Sequence, residues 1–169
     1  MGAGGLPLAP SHARVRRSLD RILDDNVLCS VATVGPGGRA HIHVCYFAVS
    51  RRLELFFLSD PGSRHAANLR KHPSAAIAVF SSAQTWGGPD RGAQLFGRCS
   101  RVGSMGRRKA LRIYRQRFPA LRQNRAARAL ALYRFETNRA TVLDEREFGD
   151  AVFVELAMSR RLARPAPRR

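Results

Sequence analysis

Acidic residues are scarce in this chain, and lysine is scarcer. Thirty Lys and Arg face twelve Asp and Glu in 169 residues, a formal net charge of +18. Only Lys71 and Lys109 are lysines, and no acidic residue lies between Asp90 and Glu136. No apolar run approaches the roughly 18 residues that span a bilayer, so no membrane partner is expected. The first ten residues place no basic segment ahead of an apolar one, so no secretory leader is read there. Cysteine is limited to Cys29, Cys45 and Cys99, an odd number with no CxxC pair. That excludes a disulfide framework and points to a reduced, cytoplasmic protein. Walker A, GxGxxG and GxSxG motifs are all missing, so any phosphate must be held by side chains and a helix start.

What is present suffices for a packed core. Hydrophobic residues make up 44% of the chain. We expect a flexible N-terminus over 1–10, one domain over 11–158 and a disordered Arg/Pro-rich tail over 159–169. The charge is uneven. Residues 1–90 carry +4, residues 91–135 carry +13 and residues 136–169 carry +1. A strongly basic chain suggests nucleic acid or another anion as partner. The basic segment lacks a nucleic-acid-binding module and interleaved aromatics, so an anionic small molecule is the better expectation.

Hydrophobic spacing predicts a helix over 11–25, with Val15, Leu19, Ile22 and Leu23 on one face and Ser11 as cap. Short β-rich runs follow at 27–34, 39–49 and 53–58, separated by Gly35-Pro36-Gly37-Gly38 and Ser50-Arg51-Arg52. A helix is expected over 61–71, stopped by His72-Pro73. Strands are expected at 75–80 and 92–102, around a polar loop that holds Trp86. An amphipathic helix over 104–118 carries a Leu111, Tyr114, Phe118, Leu121 stripe, and a shorter one is expected over 120–128. Three last strands are expected at 130–135, 140–143 and 151–156. The fold class is therefore mainly β with helical insertions, a closed or partly closed antiparallel barrel with a helical insert at 104–128.

Two places could carry chemistry. His41 and His43 share one strand face with Cys45, a pattern open to zinc, but no second ligand cluster accompanies it and no metal is expected. Ser59-Asp60-Pro61-Gly62-Ser63-Arg64-His65 joins a strand end to a helix start. Its N–H groups, hydroxyls and guanidinium suit a phosphate.

Several runs here resemble the pyridoxamine 5′-phosphate oxidase-like, FMN-binding split β-barrel family. Ala32-Thr33, Gly38, Leu55-Phe56-Phe57-Leu58-Ser59, Ser63-Arg64-His65 and Asn68-Leu69 follow its order, with His72-Pro73 in place of Asn-Pro. Arg91-Gly92-Ala93-Gln94-Leu95-Phe96-Gly97, Arg117-Phe118-Pro119 and Phe148-Gly149 are similar to an uncharacterised bacterial subgroup. The resemblance covers about residues 11–157. It implies a split barrel, a homodimer, FMN at the subunit interface and a flavin-dependent oxidoreductase acting on a small organic substrate. By position, His43, Val44, Cys45 and Tyr46 would line the ring or ribityl chain, and Phe57, Leu58 and Ser59 would pass beside it. Ser63, Arg64 and His65 would meet the phosphate. Asn68 and Gln94 would add contacts, and Trp86 would cover the ring from the partner subunit. Relatives of this fold bind F420 or haem, which are the alternative cofactors, and a non-catalytic flavin sensor is the alternative role. His65 stands where the family has lysine, so the phosphate would lean on Arg64. No counterpart to the substrate-phosphate residues of the true oxidases is found, so vitamin B6 oxidation is not expected.

Overall fold

The computed structural model describes residues 9–158. The expected N-terminal segment, apart from Ala9 and Pro10, and the expected tail lie outside the described residues.

Helix α1 (His12–Asp25) buries Val15, Leu19, Ile22 and Leu23 against the barrel. The Ser11 hydroxyl caps it by accepting from the Arg14 N–H. Strands β1 (Leu28–Val34), β2 (Ala40–Val49) and β3 (Glu54–Ser59) form an antiparallel meander. Helix α2 (Arg64–Lys71) follows, then β4 (Ser74–Phe80) and β5 (Arg91–Arg101). Helix α3 (Ser104–Arg117) begins the insert, and β6 (Ala131–Asp144), the single turn α4 (Glu145–Phe148) and β7 (Phe153–Ala157) finish the fold.

The strands run in the order β3-β2-β1-β4-β5-β6-β7, and β3 also pairs with β6. Six strands therefore close into a ring, and β7 hangs outside it. Alternate residues fill the interior, as pleating requires. Cys29, Val31 and Thr33 of β1 point inward, with Phe47, Phe57, Ile77, Leu95 and Phe135 among the fully buried side chains. Each such residue contributes roughly 1.5–3 kcal/mol through burial.

Two expectations need correction. The runs expected as separate strands at 130–135 and 140–143 are one strand, β6. Its first half pairs with β3 and its second half with β7, while β5 follows both. The polar residues between them sit at a register shift opposite Phe96 and Gly97. A Cβ at Gly97 would lie 2.0 Å from the Glu136 carbonyl oxygen, so only glycine admits this close approach. The helix expected over 120–128 is instead two 3-10 turns, Pro119–Arg122 and Ala126–Ala129. Between them the Asn124 side chain accepts from the Ala127 N–H and restarts the turn.

The insert packs through Ala110 and Tyr114 onto Ala48, Phe56 and Leu132. Arg117 fastens it. Its guanidinium donates to the Leu23, Asp24 and Asn26 carbonyls at the end of α1 and lies 4.7 Å from the Phe47 ring centroid. Among the described residues, no helix is long and apolar enough to cross a membrane.

Candidate functional site

The barrel is open at one seam. β2 pairs with β3 only through Phe47–Val49, so residues 40–46 have β1 on one side and no strand on the other. The Phe47 N–H bonds to the Val27 carbonyl on the β1 side. Antiparallel alternation then turns the main-chain groups of Ile42, Val44 and Tyr46 toward the open side. There the Tyr46 carbonyl accepts from the Tyr114 hydroxyl at 3.4 Å. Side chains from the free edge of β2, the end of β3 and the start of α2 meet there.

Two imidazoles stack there and a third lies beside them. The His43 and His65 ring centroids are 3.6 Å apart with planes 8° from parallel, and His41 sits to the side, 6.2 Å from His65 and 6.5 Å from His43. The His65 Nε2 meets the Ser59 hydroxyl at 2.5 Å and the Ser63 hydroxyl at 2.9 Å. Ser63 also caps α2, accepting from the Ala66 N–H, so local backbone geometry fixes the cradle. Upstream, the Asp60 carboxylate accepts from the Gly62 N–H and shapes the turn into the helix. Arg64, the first residue of α2, is exposed beside this cradle.

Both rings of the close pair are pushed toward the neutral form. Burial, with the neighbouring His65 and His41, holds His43 down to about 4. Burial and His41 also lower His65, against an opposing pull from Asp60. Both ring nitrogens of His43 are buried without a hydrogen-bond partner. The two hydroxyls and the helix start beside this pair are the part of the site suited to an oxyanion. The stacked rings fit a metal poorly, because they point their lone pairs outward in parallel planes. Among the described residues, no cluster of three or more His, Cys, Asp or Glu is placed to hold a metal.

The other expected contacts scatter. His43 and Cys45 face the barrel interior, whereas Val44 and Tyr46 face outward, so the four side chains cannot line one surface. Cys45 meets Cys29, sulfur to sulfur at 3.8 Å. Burial pushes Cys99 up to about 12, and the Cys45 contact together with burial pushes Cys29 up, so both stay protonated thiols. Phe57 is core, stacked on Tyr133 and tilted against His43. Leu58 faces the insert. Asn68 is buried and donates to the Thr33 hydroxyl, which in turn donates to the His41 carbonyl. Its role in the protomer is to hold β1 to α2. Gln94 lies on the outer face of β5, paired with Ala78 and Thr141. Trp86 is fully exposed and lines a separate cavity with Glu145 and Asp150. Neither joins the cradle within one protomer. Reading the sequence missed His41 as the third ring. Its alternation with His43 was visible, but the approach of His65 depends on tertiary packing.

The sequence matches the pyridoxamine 5′-phosphate oxidase family over residues 16–144. The chain belongs to that family. A search of curated proteins finds no match. Solved structures extend this pyridoxamine 5′-phosphate oxidase fold to distant relatives. A haem-binding protein from Mycobacterium smegmatis superposes with a TM-score of 0.71 at 16% identity, over 89% of this chain and 59% of its own. The haem storage protein of Vibrio cholerae gives 0.62 at 18%, over 73% of this chain and 90% of its own. A Clostridium acetobutylicum protein related to general stress protein 26, of the pyridoxinephosphate oxidase family, gives 0.62 at 10% identity. It covers 88% of this chain and 97% of its own. These identities carry the fold alone. As a member of the pyridoxamine 5′-phosphate oxidase family, the chain has the split barrel with helices that its strand order displays.

Proposed function

We propose that this chain is an FMN-dependent oxidoreductase whose cofactor lies in the open seam at a homodimer interface. The observation that carries the reading is the oxyanion cradle of Ser59, Ser63 and His65 beside the unpaired edge of β2. The FMN phosphate would accept from the Ser59 hydroxyl, Arg64 would add a guanidinium, and Ser63 and His65 would join once Ser63 turns from the Asp60 carbonyl and His65 Nε2 from the two hydroxyls. The unpaired main-chain groups of Ile42 and Val44 are free to bond a planar heterocycle. When bound, the flavin supplies the hydride chemistry, and the protein binds, orients and shields it.

The dimer rests on a second observation. Ile42, Val44 and Tyr46 on the outer face of β2 are 65%, 63% and 56% exposed, and Leu28 and Phe80 extend that apolar surface across β1 and β4. Adjacent apolar side chains on one sheet face mark an interface with another chain. By the family resemblance, a second copy there would bring its own Trp86 to cover the ring. The free thiols suit a cytoplasmic setting.

Haem is the second reading. It is favoured by the names of two relatives and by the orphaned nitrogens of His43. Those nitrogens lie beneath His65 rather than against open space, which favours the phosphate. Titration of the protein with FMN, followed by quenching of flavin fluorescence, tests the proposal. Saturable binding is expected, weakened about tenfold or more by Arg64→Ala. No quenching by FMN, with a Soret band on adding hemin or capture of F420, would overturn it.

A further inference from the structure

Residues 104–130 hold nine basic side chains and no carboxylate. All ion pairs of the described residues lie elsewhere in the chain. Four of the nine converge. Arg107 and Arg115 stand two turns apart on α3, with Leu111 between them. The two 3-10 turns fold Arg122 and Arg128 back to face them. Together they enclose a cavity of about 230 Å³ whose apolar wall includes Leu58 and Leu111. None of the four guanidinium groups makes a hydrogen bond among the described residues; Arg107 is half-buried, and Arg115, Arg122 and Arg128 are exposed around the mouth. Like charges around so small a space repel one another unless an anion sits between them. Guanidinium forks match the paired oxygens of phosphate and carboxylate. Leu58 immediately precedes Ser59, so the cavity adjoins the cradle in the chain.

We infer that this cavity is a binding site for a small amphipathic oxyanion, a phosphate or dicarboxylate with a short apolar body. Its charged end meets the four arginines, and its apolar part lies on Leu58 and Leu111. Its use as the substrate site rests on the flavin reading, whereas the site itself does not.

Calorimetric titration of the flavin-free protein at fixed ionic strength tests it. Phenyl phosphate and phenylmalonate are the two probes, with inorganic phosphate as the reference. One-to-one binding of at least one aromatic probe is expected, about tenfold tighter than inorganic phosphate. The probe that binds identifies the anion. The R107Q/R115Q pair and the R122Q/R128Q pair should each weaken it at least tenfold. R108Q/R112Q removes the same charge from the same helix outside the cavity and should change it less than twofold. Thermal melting of each variant checks that the fold survives. Equal losses from all three pairs would assign the effect to diffuse charge and overturn the site, as would no binding of either aromatic probe at millimolar concentration. Binding with the expected pattern in a protein that fails to quench FMN upholds the site and removes the flavin.

Discussion

The arginines of the barrel and those of the insert live under different rules. On the barrel and its first helix six of them form ion pairs. Arg14 and Arg21 meet Glu147, Arg16 meets Asp20, Arg134 meets Glu54 and Glu136, and Arg139 meets Glu155. Arg91 reaches both Asp25 and the buried Asp144, whose Oδ2 also accepts from the Ser18 hydroxyl. Across the insert such pairing is impossible because acids are lacking. Only Arg117 turns inward, toward carbonyls rather than carboxylates. The paired arginines of the barrel serve its architecture, and those of the insert other than Arg117 have no such partner among the described residues.

Four experiments bear on that contrast. The largest effect is expected from Arg91→Ala, which strips the buried Asp144 of its nearest cation and leaves Arg21 at 3.8 Å. We expect a loss of about 3 kcal/mol in urea unfolding. A change near zero would mean that barrel pairing is ornamental. Arg117→Ala should cost about 2 kcal/mol by the same measurement, from the lost helix-end bonds and the lost contact with Phe47. That would make it the exception within the insert.

The third experiment concerns the neutral histidines of the seam. His43 holds its proton only near pH 4 when folded, against an ordinary value of 6.5. The unfolded chain therefore takes up that proton first as pH falls. Stability is full above about pH 6.5 and declines toward pH 4, with a fall in melting temperature of about 5 °C assigned to this residue. His43→Phe, which keeps a flat ring, should flatten the slope between those limits. An unchanged slope would remove His43 as its source. The smallest effect belongs to the cavity arginines. Arg107→Gln, Arg115→Gln, Arg122→Gln and Arg128→Gln should each shift stability by less than about 0.5 kcal/mol. A larger loss would show that they hold the fold.

Much of this was legible before the structure. The helix start at Ser63, Arg64 and His65 is legible because turn residues, cap and first helical turn follow one another directly. The two faces of β2 were also legible in principle, since a strand alternates. Motif position instead grouped residues 43–46, and pleating divides them. Arg117 could not be told from its eight basic neighbours, because its role depends on where α1 ends in space. Asn68 read as a ligand contact, yet its partner Thr33 lies thirty-five residues away, a distance only folding bridges. β6 read as two strands because Thr137, Asn138 and Arg139 interrupt its apolar pattern, and the bulge that absorbs them needs Gly97 across the ladder.

β6 also governs the order in which the protein can assemble. Strands β1, β2 and β3 meet across turns of a few residues. The last rung of the β5–β6 hairpin, Arg101 against Tyr133, must instead close a loop of about thirty residues. Pairing of β3 with β6 joins Glu54 to Glu136 and depends on that hairpin. The insert therefore sits inside one of the long connections of the barrel, and its uncompensated charge keeps that loop expanded until the ends meet. The pairing of β3 with β6 comes last. A chain with the insert replaced by a short turn should refold faster, even though the insert contributes little to the stability of the finished barrel.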